Sequence, residues 1–470
     1  MVASPSELIV RVYNVGFGDC FLLTFVYENL EPAQRHVLID FGTTAGPEKG
    51  MNRKPPVPAP MLEIAKHIDH VTGGRLDAVI ATHRHRDHIS GFARKNGKGS
   101  GDIITRLAKN ALILLPWTEH PDLAEDAVAP VSTSKGPLAL QAAARTLDSM
   151  QALSASVALE AAGMQRRRDA FDLASRSEQS AADGRQQSNE MPIWASHVGK
   201  RLLDRLAFVG DANVKNREAV ESLIEMSTPA RHRYLAYGGK SGLESVLPGV
   251  TTYVLGPPTA KQHAKILASP VREHEEYWNL QALSTARSAA RQRPLFGARW
   301  TIEPKKWPRT SRWFIRRLRG IHAQQLLQLV RLVDNRINNT SLILLFEVGG
   351  KRLLFPGDAQ IEDWEWAIEK AANATNVKKL LAGVTFYKVG HHGSLNATPR
   401  SVWKKFKKGK KTLTTVVSTR KGKHGDTNED TEVPRETLMA ELQLHSNLHT
   451  TQKLGLKEKD FVDPITIKLK

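Results

Sequence analysis

Residues 76–92, LDAVIATHRHRDHISGF, run an apolar segment straight into His83, His85, Asp87 and His88. This junction constrains the fold more than any other stretch of the chain. A short apolar run bounded by turn residues reads as a buried strand. Four ligand-type side chains then fall within six positions at its end. Neutral imidazoles and carboxylates are donors for Zn²⁺, Mn²⁺ or Fe. One turn cannot complete two ion sites, so the spacing asks for a fold in which other strand ends deliver further donors to the same edge. The sequence offers two: Asp358, closing RLLFPGD, and the pair His391–His392, opening HHGS behind FYKVG. Both follow predicted strands directly, which is where α/β sheets form their binding crevices. A carboxylate shared between two cations would complete a two-metal site.

The rest of the chain supplies the sheets. LIVRVYNVGFGDC, FLLTFVY and HVLIDFGTTAG read as three strands, Met61–Val71 as a helix, and ALILLPWTEHPD as a strand with a polar turn. Later segments, RLAFVGD, TTYVLGPP, SLILLFEV, KRLLFPGD, GVTFYKVG, TTVVST and PITIKL, read the same way, with a helix expected over IEDWEWAIEKAANA. Strands alternating with helices predict an α/β protein with a mixed sheet. Two interruptions differ in composition. Residues 130–195 are rich in Ala, Leu and Gln and predict a helical insertion, and residues 260–335 form a basic, Trp-rich one. The expectation is a single domain over 1–470 carrying both insertions. No window approaches the ~20 consecutive apolar residues of a membrane span. The N-terminus shows no basic leader ahead of an apolar stretch, and Cys20 is the single cysteine. These features together favour a cytoplasmic protein.

The block THRHRDH resembles the HxHxDH signature of the metallo-β-lactamase superfamily. VYNVGFGDCFLL, VLIDFG, ATHRHRDHISGF, NNTSLILLFEVGGKRLLFPGD and YKVGHHGS stand in the order seen in the C-terminal domain of ComEC-type competence proteins. The resemblance covers the sheet-forming half of the chain. It implies a four-layer αββα sandwich with two divalent metal ions, Zn²⁺ or Mn²⁺, at one edge. It implies His83, His85, Asp87, His88, Asp358 and His391 as metal ligands, Asp40 as the buried carboxylate behind them, and Asn339, Ser341 and Ser394 as supporting residues. In this sequence the superfamily histidine between the first cluster and the bridging Asp is replaced by the Asn338, Asn339 and Ser341 motif. The late His-Pro of relatives is Val433–Pro434, and either His424 in the preceding loop takes over that substrate contact or the contact is gone. Asp19 in GFGDC reads as a supporting residue or substrate contact, or equally as a turn residue, and Trp117, Glu119 and His120 could line the mouth of the site or form an ordinary turn.

Two bridged cations would acidify a bound water and stabilise negative charge on a phosphoryl or tetrahedral oxygen. Asp87 would orient that water. Protonation of the leaving oxygen falls to His391, His392 or a water. Such machinery cleaves phosphodiesters, lactones and thioesters alike, so charge must separate them. Lys and Arg total 67 against 48 Asp and Glu, a net charge of +19. From Arg287 to Arg319 there are eleven basic residues and one acid, interleaved with Trp300, Trp307, Trp313 and Phe314. Cations that neutralise phosphates and rings that stack on bases suit a nucleic acid. Arg312, Arg316, Arg317, Lys404 and Lys405 are the expected contacts. The leading expectation is a metal-dependent nuclease acting on DNA or RNA. The alternatives are a small-molecule phosphodiesterase or lactonase whose basic insertion serves a protein partner, and a non-catalytic nucleic-acid-binding subunit. A homo-oligomer is compatible with each, and none involves a membrane.

Overall fold

The computed structural model describes residues 3–44, 60–123, 129–130, 217–264, 337–394, 398–422, 432–455 and 460–469. They belong to one compact unit spanning 1–148, 215–267 and 335–470. The two expected insertions fall outside the described residues, apart from residues 130 and 260–264. RLAFVGD also falls outside them.

The chain opens with β1 (Glu7–Tyr13), β2 (Cys20–Val26) and β3 (Gln34–Phe41), then α1 (Pro60–Thr72) and β4 (Ala78–Ile80). Next come α2 (Arg86–Ile89), α3 (Ser100–Leu107), β5 (Leu112–Pro116), α4 (Arg217–Glu225) and β6 (His232–Leu235). With β13 (Val462–Lys468), the first six strands form a seven-stranded sheet ordered β13-β1-β2-β3-β4-β5-β6. Its pairs are antiparallel up to β2–β3 and parallel from β3 to β6. The second sheet takes β7 (Thr251–Gly256), β8 (Ile343–Val348), β9 (Lys351–Phe355), β10 (Phe386–Lys388), β11 (Thr414–Val417) and β12 (Asn447–Thr450). It has six strands ordered β12-β11-β10-β9-β8-β7, parallel from β9 to β12 and antiparallel from β7 to β9. Its helices are α5 (Ile361–Glu365), α6 (Ala374–Ala382), α7 (Arg400–Trp403) and α8 (Glu436–His445). The chain is therefore an α/β protein with two mixed sheets and, among the described residues, eight α-helices.

Burial explains the strand compositions. One core cluster takes Val10, Leu23, Ile39, Ile80 and Leu114 from the first sheet together with Leu344, Phe346, Phe355, Phe386 and Val416 from the second. Phe21 and Phe355 meet there edge to face at 5.8 Å. The alternate residues Leu22, Leu38, Val79 and Ile113 join Ile64 and Ile68 of α1, Ile104 of α3 and Leu223 of α4. Leu345, Leu354, Tyr387 and Val417 likewise join Trp364, Leu381, Val402 and Leu442 of α5 to α8. Strands apolar on both faces are buried on both faces, and each Leu or Phe so removed from water contributes about 1.5–3 kcal/mol. β13, at the edge of its sheet, instead alternates between half-buried and exposed positions.

Several elements differ from the sequence expectation. The strand leading to the histidines ends at Ile80, so Ala81 and Thr82 already belong to the ligand loop. The helix over residues 361–370 is two pieces, α5 and a π-helical turn from Trp366 to Lys370. Helix α3 has a start signal that sequence reading passed over: Asp102 accepts the N–H groups of Lys95 and Gly99, both at 2.8 Å. A carboxylate at that position satisfies donors that the first helical turn leaves open.

Candidate metal centre

Thr82 is where the two sheets meet the ligand loop. Its carbonyl accepts the N–H of Leu342, just ahead of β8, at 2.8 Å. Its own N–H and hydroxyl donate to the two oxygens of Asp40, each at 2.7 Å. Asp40, next to last in β3, has φ of 55°, a conformation that costs a non-glycine residue about 1–2 kcal/mol. The hydrogen bonds hold it there. Asp40 Oδ2 also lies 2.8 Å from His88 Nδ1, which turns His88 Nε2 toward Asp358 Oδ1 at 3.2 Å. A carboxylate on one ring nitrogen that fixes the other toward a site is the usual support of a metal-binding imidazole.

The donors from the second sheet arrive after β9 and β10. Asp358 is held by its N–H donating to Ser341 Oγ at 3.2 Å, and its Oδ1 accepts the N–H of His391 at 3.0 Å. Gly357, with φ of 56°, makes the turn; a Cβ there would stand 2.9 Å from Thr82 Cβ. His392 donates from Nδ1 to the Ser418 carbonyl at 3.0 Å, which presents its Nε2 to Asp87 Oδ2 at 3.1 Å. Asp87, His88, Asp358 and His392 each offer one ligand atom, and these atoms all lie within 4.8 Å of one another. Asp19, Asp40 and His88 form a second group of the same kind. Two imidazoles and two carboxylates are a donor set for Zn²⁺ or Mn²⁺. His88 Nε2 is fully buried and faces Asp358 Oδ1 at 3.2 Å, so a cation bound between them would take the place of the proton there. These residues fit a divalent metal ion.

The charges are arranged accordingly. Burial opposes ionisation of Asp358, yet His88, His391 and His392 outweigh it and hold the carboxyl well below the usual carboxylate range. Asp87 is pushed down in the same way, against burial, by His392 and His88. Burial likewise works against a charged His88, but Asp358, Asp40 and Asp19 raise it well above an ordinary histidine. His83 goes the other way: its burial, with His88 beside it, keeps it neutral.

The other expected site residues distribute as follows. His83 and His85 are buried, with His83 Nε2 at 3.0 Å from His85 Nδ1 and 3.9 Å from Asp358 Oδ2. Of the adjacent pair, His392 belongs to the four-residue group, while His391 Nε2 stands 3.9 Å from Asp358 Oδ2 with its side chain 26% exposed. Asn339 is buried in the turn that carries Ser341, and Ser394 is half-buried with its N–H on the His391 carbonyl. Lys404 is exposed and Lys405 half-buried just beyond α7. Arg312, Arg316, Arg317 and His424 lie outside the described residues. Glu119 is buried and accepts from Arg84 at 2.9 and 3.0 Å, which ties the turn after β5 to the ligand loop.

Lys388 gains a role that sequence reading did not assign, and its partner is Asp19, which the sequence left open between a supporting and a turn residue. Asp19 accepts an ion pair from Lys388 Nζ, and it reaches His392 Nδ1 at 3.5 Å and His88 Nδ1 at 3.7 Å. Lys388 is only 2% exposed, and burial of its ammonium is more than offset by Asp19 and Asp358, so its pKa is raised. Breaking such a buried pair by removing one partner costs about 3–5 kcal/mol. The available signal was a lysine at the end of a buried strand, three residues ahead of His391.

Compared with protein-family models and with curated proteins, the chain matches none. Among the described residues no helix is long and apolar enough to cross a membrane.

Proposed function

We propose that this protein is a metal-dependent hydrolase of the metallo-β-lactamase type that cleaves phosphodiester bonds in nucleic acid. One observation carries the reading: three segments, following β4, β9 and β10, contribute four ligand atoms within 4.8 Å. An αββα layering is supported by the core clusters, since one is shared between the sheets and the other two join each sheet to its own helices. Asp87, His88, Asp358 and His392 hold the metal, with His83 and His85 beside them. When bound, a divalent cation supplies a Lewis acid that acidifies water and stabilises charge on a phosphoryl oxygen. The protein supplies orientation. Thr82 and Asp40 fix His88, Ser418 fixes His392, and Ser341 fixes the Asp358 backbone. His391, 26% exposed beside Asp358, is the imidazole open to substrate and donates the proton to the leaving oxygen.

The charge of +19 and the surface lysines beginning at Lys404 support a polyanionic substrate. The test is metal analysis combined with cleavage of single- and double-stranded DNA and RNA, with and without chelator. Expected are cleavage abolished by chelator, and a loss of about 10³-fold or more in Asp87→Ala with nucleic-acid binding retained. A metal-loaded protein that binds no nucleic acid at low salt would end the nuclease reading. Turnover of small chromogenic phosphodiesters alone would move it to a small-molecule hydrolase.

A further inference from the structure

The two groups with metal-ligand spacing share His88 but differ in what already surrounds their oxygens. In the group Asp19, Asp40 and His88, Asp40 accepts from the Thr82 N–H and hydroxyl and faces His88 Nδ1. Asp19 is ion-paired with Lys388, whose Nζ also donates to the Gly357 carbonyl at 3.3 Å and lies 3.7 Å from Asp358 Oδ1. Asp19, Asp358 and Lys388 are each at most 2% exposed, so water screens none of these charges. His88 turns Nδ1 to Asp40 and Nε2 to Asp358, leaving one nitrogen for one ion. We infer that Lys388 is the resident cation of the inner group: it takes the place of a divalent ion beside Asp19 and confines metal to the group of Asp87, His88, Asp358 and His392. It is a positioning residue that decides how many metal ions the carboxylate cluster accepts.

The physical reason is charge density. An uncompensated carboxylate among buried imidazoles draws a cation from solution, and a tethered ammonium satisfies it with no coordination shell to fill.

The inference rests on the metal-centre reading, and the experiment separates the two. Mn²⁺ bound per chain is measured by equilibrium dialysis on the full protein and on Lys388→Arg, Lys388→Met and Lys388→Met/Asp19→Asn. Lys388→Arg should match wild type. Lys388→Met should bind about one further equivalent, and the double variant should return to the wild-type value. A folded Lys388→Met that binds no more Mn²⁺ than wild type overturns the inference, as does a gain that Asp19→Asn fails to reverse. Should Lys388→Met not fold, Asp19→Asn alone decides. Its unpaired ammonium then turns on Asp358 and should weaken Mn²⁺ binding by about tenfold or more, and unchanged affinity overturns the inference. A wild type that binds no Mn²⁺ overturns the metal centre itself, and the inference with it.

Discussion

His36 and His88 are both buried, and their surroundings push them in opposite directions. His88 lies among Asp358, Asp40 and Asp19 and is raised against the effect of burial. His36, on β3, is lowered to about 4 by burial and by Arg75, Arg11 and Arg35. Its ring is held neutral against the Thr24 hydroxyl at 3.1 Å. The folded pKa is depressed below the unfolded value near 6.5, so the unfolded chain takes up a proton first as pH falls. The stability contributed by a neutral His36 is complete above about pH 6.5, declines below it, and is gone near pH 4. The shift corresponds to about 3 kcal/mol. Denaturant titrations at pH 7 and pH 4 should show wild type losing about that much more than His36→Gln. Equal losses would mean that His36 is already charged in the fold.

At the scale of elements, the ligand loop is held by close backbone contact as well as by hydrogen bonds. Gly42, just after β3, lies so near α2 that a Cβ would stand 2.5 Å from Arg86 O and from His88 N. Those are backbone atoms, which cannot swing aside. Gly42→Ala should therefore destabilise the protein by about 3 kcal/mol, at or above the usual cost of overpacking, and should weaken metal binding with it; urea denaturation and metal content measure both. Retained metal and stability would show that the loop yields easily. This contact marks the limit of what sequence made legible. Strands buried on both faces announced themselves through nearly continuous apolar runs, as in CFLLTFV and LILLP. The weaker strands β6 and β12 and the helices α3, α4, α6 and α8 did not, because they are short or of mixed composition and take their stability from packing against neighbours. That Gly42 touches Arg86 and His88 depends on the parallel pairing of β3 with β4, and no local pattern encodes it.

For the whole molecule, bound metal should act as a cross-brace, since its ligands come from both sheets. Metal at about a thousand times its dissociation constant should add roughly 4 kcal/mol. Melting with saturating Mn²⁺ should therefore exceed melting with EDTA by several degrees, and coincident curves would argue against a metal that bridges the sheets. The sequence by itself determined the chemical inventory. His83, His85, Asp87, His88, Asp358 and the His391–His392 pair were legible because each follows an apolar strand, and strand ends are where an α/β sheet presents its side chains. Tertiary structure decided who meets whom. Asp87 and His392 are 305 positions apart, and the carbonyl of Ser418, after β11, turns His392 toward Asp87 while His391 remains at the rim. The pairing of Lys388 with Asp19 was settled the same way. Each outcome depends on how two sheets pack and which buried charge lies nearest, and neither quantity exists until the chain has folded.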